Sequence, residues 1–475
     1  MACCLAGLTV EAQVSNFSPS AEDLPLLTNL ANSYQQRYKE ESDRLPALNK
    51  KDFQEIYDER WKNIKEKFDK QEIYTSVAAQ EYLDALVAQI VRANPVLKDH
   101  PFHCYFSRTY IPNAAYIGEG IILFNMGLFY RLTNESQAAF ILCHEISHYL
   151  LQHQEKSIGK YVAAVNSPEV QAQLRKIKGS EYHKHEQVQT LVKGLAFDSR
   201  RHSRDHESEA DSMGVELMRH TPFDLMGAMT TLALLDSIDK DAFNTESCLQ
   251  QTFNSRDYPF RKKWIAREEG LLGGHAHVQQ EELEDSLKTH PDCPLRMRLI
   301  APLVGVGAGG AFGKPAAAEG GAGREGAGGA GGGGGGGGGG RAFVVDSVKF
   351  RTLAALFRYE VIEYAYVSDA YTESLYLSLK LLQRRPADVY GVAQVGRVLN
   401  GLYQAQKGHT LSKVVDLPSP DYPANYNLLL QFVQNLYLED LASINYYFLS
   451  AYHPQLDYYT TFKKAYEESA KSVRE

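Results

Sequence analysis

The chain lacks any apolar run of the roughly 18 residues that a membrane-spanning helix needs, so no transmembrane span is expected. It also lacks positive charge near its start: no Lys or Arg precedes Arg37. The stretch from Met1 to Val10 is apolar and small, and Val10-Glu11-Ala12 before Gln13 resembles a signal-peptidase site. Without a basic leading segment, residues 1–19 read as a truncated export signal or as a plain tail. Cys3 and Cys4 carry no good lipobox. The remaining cysteines, Cys104, Cys143, Cys248 and Cys293, lack metal-type pairing and give no disulfide framework. The net charge is −8 and few of the 29 tyrosines lie near cationic runs, which argues against a nucleic-acid partner. A length of 475 residues suggests two or three domains.

What is present is His144-Glu145-Ile146-Ser147-His148. Histidines at i and i+4 lie one above the other on a helix face, so both rings can bind one metal. The intervening Glu145 can hold and deprotonate a water there. The surrounding apolar positions, Ala139, Phe140, Leu142, Cys143, Ile146, Tyr149 and Leu150, have helical spacing. Asn134 reads as the N-cap, with Gln137 three residues on as in a capping box.

A catalytic zinc takes three protein ligands and keeps one position open. The downstream segment from Arg204 to Gly214 offers Glu207, Asp211 and Gly214 at i, i+4 and i+7, on one helix face. Glu207 could complete the set, Asp211 could orient a ligand histidine, and Gly214 would let the two helices approach closely. Glu209, His206 and His202 are rival ligands. Glu209 sits on a different face from Glu207, so both cannot point at one metal. Leu151 and Gln154 stand where a metzincin would need Gly and His, which favours a distant glutamate.

Together these motifs resemble the gluzincin metallopeptidases of family forty-eight, the zinc metalloendopeptidase family of HtpX, BepA, Oma and the CAAX prenyl proteases. The matching pieces are Pro112-Asn113-Ala114-Ala115, the run Gly118 to Leu128, His144 to His148, Glu207-x-x-Ala210-Asp211-x-x-Gly214, and Thr289-His290-Pro291 followed by Arg296. They cover roughly residues 75–300, in the family's order. The resemblance implies that His144, His148 and Glu207 bind Zn2+ and that Glu145 is the general base. Ser147 departs from the family's usual Gly but stays small. The missing membrane helices point to the soluble, periplasmic-like type, hence a periplasmic or secreted location, with membrane association as an option. In some relatives the Thr-His-Pro histidine reaches the zinc, so His290 would be a catalytic gate or transition-state donor; otherwise it caps and turns into the next helix.

Ala115 to Phe124 reads as a strand with interior glycines, as where another backbone comes close. It is either an edge strand that binds an extended peptide or an ordinary core strand. Residues 20–95 read as helices. Gln154 to Ala196 reads as a helical hairpin or a lid. Val304 to Arg341 is almost all Gly and Ala, with ten glycines in a row from Gly331 to Gly340; it should be a disordered linker. Beyond it, helical stretches are expected near 368–384, 388–406, 425–447 and 457–473, split by Pro386, the Pro418–Pro423 cluster and Pro454. No full 34-residue repeat signature is found, so a likeness to tetratricopeptide hairpins is slight.

The expected fold is α+β: a mainly helical gluzincin-type peptidase domain with a small β-sheet over residues 20–302, a linker over 303–342, and an all-α array over 343–475. The expected function is zinc-dependent hydrolysis of peptide bonds in unfolded, misassembled or exported proteins, with the C-terminal helices free to recruit a protein partner. A zinc-stabilised, chaperone-like scaffold is the reading from another class; the intact Glu145 speaks against it, since a structural site needs no base.

Overall fold

Apolar residues at helical spacing build the first layer. α1 (Leu24–Asp43) and α2 (Lys50–Asp69) precede α3 (Val77–Ala93), whose Ala79, Tyr82, Leu83, Leu86 and Ile90 form one buried stripe. The computed structural model describes residue 17 and residues 24–179, 204–238, 243–266, 293–306, 340–419 and 422–474. Three strands follow: β1 (His103–Ser107), β2 (Ala114–Gly118) and β3 (Ile121–Asn125). Their order is β1-β3-β2, with β3 parallel to β1 and antiparallel to β2. β3 is central and apolar, so it is buried on both faces; β2 is an edge.

The run from Ala115 to Phe124 is therefore two strands, not one. Its glycines make the turn: Gly118, Glu119 and Gly120 have φ of 109°, 48° and 75°. That left-handed path suits glycine and strains Glu119, whose carboxylate is pinned by Arg60 Nη2 at 2.7 Å.

α4 (Met126–Phe129) leads into α5 (Glu135–Leu150), which carries His144 to His148, then α6 (His153–Val165) and α7 (Pro168–Gly179). The described part of the 154–196 segment is thus two helices; residues 180–203 lie outside the described residues. α8 is helical over residues 204–219. α9 (Met226–Ile238) packs against both α5 and α11 (Cys293–Val304), while α10 (Thr245–Phe253) joins the C-terminal helices.

Those helices are α12 (Ser347–Val367), α13 (Tyr371–Arg384), α14 (Val389–Lys407), α15 (Ala424–Asn435), α16 (Leu438–Leu456) and α17 (Thr460–Ser472). α14 lies among α13, α16 and α17. Buried amides tie them: Asn445 donates to Asn400 Oδ1 at 2.7 Å, and Asn400 donates to the Ala465 carbonyl at 2.9 Å. The expected helix over 425–447 breaks at Leu436 and Tyr437, where no Pro or Gly marks it. Asp440 makes the break: it accepts from the Tyr437 amide at 3.3 Å and from Tyr258 and Arg261. Pro454 does not split a helix; it falls in the last turn of α16, which ends two residues later at Leu456.

The mainly helical α+β fold with C-terminal helices is the one expected. The tract between residues 306 and 340 lies outside the described residues, but the chain after it returns to the first core. Arg341 pairs with Phe223 as a parallel bridge, and Ser136 donates to the Arg341 carbonyl. α12 then enters the peptidase core, with Phe357 4.7 Å from Phe106 and Phe350 5.1 Å from Phe129 between ring centres. Glu135, wholly buried at the start of α5, accepts from the amides of Val344, Val345 and Asp346 at 2.6–2.8 Å and from the Tyr82 hydroxyl at 2.9 Å. Replacing it strands three amides at about 1–3 kcal/mol each. Glu135→Ala should therefore lower the unfolding free energy in urea by roughly 3 kcal/mol or more. A loss under about 0.5 kcal/mol, the size of an ordinary surface change, would contradict this clamp.

Candidate metal centre

α5 starts as its sequence indicates. Asn134 accepts from the Gln137 amide at 3.0 Å, and Gln137 reaches back to the Thr133 amide at 2.8 Å. From there α5 is buried on nearly all sides as far as Ser147. One helical turn sets His144 Nε2 and His148 Nε2 3.0 Å apart. Two facing imidazole lone pairs at that distance repel unless a proton or a cation lies between them.

α8 crosses against this helix. A Cβ on Gly214 would lie 3.2 Å from His144 Cα, so glycine there is what permits the approach. The crossing brings Glu207 to the two rings: its oxygens are 3.5 Å from His144 Nε2 and 3.4 Å from His148 Nε2. These three donors, two imidazoles and one carboxylate within 4.8 Å of one another, suit a zinc ion.

Asp211, one turn further, faces the other nitrogen of His144, with Oδ1 2.9 Å from Nδ1. Asp211 is held in turn by Arg296 of α11, through bonds of 2.7 and 2.8 Å, and the same guanidinium lies 3.1 Å from Glu207. Burial alone would raise both carboxyl groups. Bonds to His144 and His148 and the charge of Arg296 instead hold Glu207 well below the usual range; Arg296 and His144 hold Asp211 down. Burial would lower the metal-free His144, yet Asp211 and Glu207 outweigh it and raise its pKa to about 10.

His148 is supported differently. Its Nδ1 lies 3.0 Å from His153 Nδ1, and His153 Nε2 lies 3.1 Å from Glu209. Glu209 and His206, the rival ligands, thus both serve His153: one accepts from its ring, the other stacks on it with centres 4.2 Å apart. His202, the third rival, lies outside the described residues. Sequence reasoning missed His153. The only signal for it was chemical: a ligand histidine needs a partner for its second nitrogen.

Glu145 is buried beside the two histidines. Its pKa is raised by burial, against the pull of His144 and His148, and it accepts from the Tyr116 amide at 2.8 Å. The outward edge of β2 therefore faces α5 across the cleft, and by strand alternation Ala114 presents its amide and carbonyl the same way. The cleft encloses about 500 Å3. Its lining includes Asn113, Ala114 and Ala115, the apolar Leu128, Phe140 and Leu235, and the polar His153, Gln154 and Ser157. His290, the expected gate, lies outside the described residues.

A paired-histidine and carboxylate donor set, a buried glutamate beside it and an edge strand across the cleft are the features of a metallopeptidase. Residues 78–303 match the model of peptidase family M48, and the chain carries a domain of that family. It is also 25% identical over 253 residues to a beta-barrel assembly-enhancing protease of Yersinia pestis, covering 45% of this chain and 48% of that protein. The chain thus spans about half the length of the curated relative it matches. Among the described residues no helix is long and apolar enough to cross a membrane.

The charge balance predicts how a metal binds. Metal-free His144 keeps its proton up to a pKa of about 10, so a zinc ion must displace it. Apparent affinity should rise with pH, by up to about tenfold per unit across the neutral range. Competition titrations against a chelator near pH 6, 7 and 8 check this; a flat profile would sink it.

Proposed function

We propose that the chain is a zinc-dependent metalloendopeptidase, acting on protein substrates in quality control or processing. The observation that carries this reading is the convergence of His144, His148 and Glu207 on one point beside Glu145 and the edge of β2. A zinc ion held by the three would supply Lewis acidity toward water and the scissile carbonyl. Glu145 has the position and proton affinity to take a proton from the attacking water and return it to the leaving amine. An extended substrate pairs with the outer edge of β2 at Ala114, next to the Tyr116 amide that Glu145 holds, which sets its carbonyl beside Glu145. Asp211 and Arg296 keep His144 aimed, and apolar Leu128, Phe140 and Leu235 in the lining leave less of the cleft to water.

Glu145→Gln should retain one zinc per chain and lose casein hydrolysis by at least about a hundredfold, the scale of a positioned acid–base group. Full turnover in that variant would rule the mechanism out. A wild-type protein that binds zinc and unfolded clients but never cleaves would instead favour the scaffold reading. For His290 we propose a gate over the fourth zinc position. The expected outcome for His290→Ala is altered turnover at unchanged zinc content; unchanged activity with unchanged zinc geometry would reject it.

A further inference from the structure

We propose that His153 and Glu209 are positioning residues that set the tautomer and aim of His148. The proposal rests on the zinc reading above. For His148 to offer a lone pair from Nε2, its proton must sit on Nδ1. The atom facing Nδ1 is His153 Nδ1 at 3.0 Å. One proton lies between the two nitrogens, so His153 can accept it only if its own proton is on Nε2. Glu209 enforces that state: a carboxylate oxygen 3.1 Å from Nε2 accepts and cannot donate. Each link fixes the next, from Glu209 through His153 to the metal-facing nitrogen of His148.

The backbone explains why His153 is there. Gln152 adopts a left-handed turn, φ 53°, between α5 and α6, and this doubles the chain back so that residue 153 lies beside His148. Its side chain is 4% exposed, and the ring lies flat on His206 at an interplanar angle of 6°. It has neither room nor reason to turn. α8 then serves both ligand histidines. Glu207 points to the shared donor cluster, Asp211 to Nδ1 of His144, and Glu209, on another face, to the partner of His148. Three acidic residues at alternate positions thus have three distinct tasks.

The test uses the full chain loaded with zinc alone, reading zinc content and the rate of release to a chromogenic chelator. His153→Phe keeps a flat ring on His206 but cannot accept a hydrogen bond. It should weaken zinc binding about 10- to 100-fold, the usual cost of removing such a support. His153→Gln, whose amide oxygen can accept, should recover part of that loss. Glu209→Ala should also speed release, by a smaller factor than His153→Phe. Its side chain is 58% exposed, so this variant should fold even where a change at the buried His153 does not. Wild-type zinc affinity and release in His153→Phe would overturn the proposal. So would wild-type release in Glu209→Ala, which by itself would break the relay. A wild-type chain that binds no zinc would refute the functional reading instead, and the two failures are therefore distinguishable.

Discussion

The buried guanidinium of Arg296 is the interaction on which the rest of the centre depends. Two carboxylates, Asp211 and Glu207, sit in a water-poor site, and ionised groups there cost several kcal/mol each unless paired. Arg296 pairs with both, through two bonds to Asp211 and a 3.1 Å contact to Glu207. Were Asp211 protonated, it could no longer act as a pure acceptor facing His144 Nδ1, and the tautomer that frees Nε2 would lose its support. One cation from α11 thus reaches the chemistry through α8 and then α5. Half-breaking a buried ion pair of this kind costs about 3–5 kcal/mol.

The two ligand histidines are held by unlike means. His144 has a carboxylate directly behind it, deeply buried and neutralised by Arg296. His148 has an imidazole behind it, and the carboxylate comes one step later, at an exposed position. The inner histidine is fixed by charge in a dry environment; the outer one depends on ring packing and a left-handed turn. Both supports rise from α8, whose approach is set by Gly214 against His144. A side chain at 214 would therefore disturb ligands and supports together.

Much of the site was legible in the sequence because helix periodicity is a strict rule: i and i+4 share a face, so His144 with His148 and Glu207 with Asp211 could be paired on paper. Asn134 as the cap followed from the same logic. What was not legible came from elements meeting across long sequence distances. The glycines of 118–120 read as gaps in one strand because a turn and a strained strand use the same residue. The break at Leu436 and Tyr437 left no local mark, since Asp440 makes it with help from Tyr258 and Arg261, far upstream. Nothing beside Glu135 in the sequence marks its task; that its carboxylate clamps amides over two hundred residues later is a fact of tertiary folding alone.

That clamp has a consequence for how the gene can change. Val306 packs against the core before the glycine-rich tract, and Arg341 is bonded to Phe223 after it. Both ends are fixed by contacts that do not involve the residues between. For a flexible loop the entropy of closure grows only with the logarithm of length, about 0.6 kcal/mol for each doubling. Between two ends pinned in this way, a change of length weighs less on the fold than a change at Val306 or Arg341 themselves.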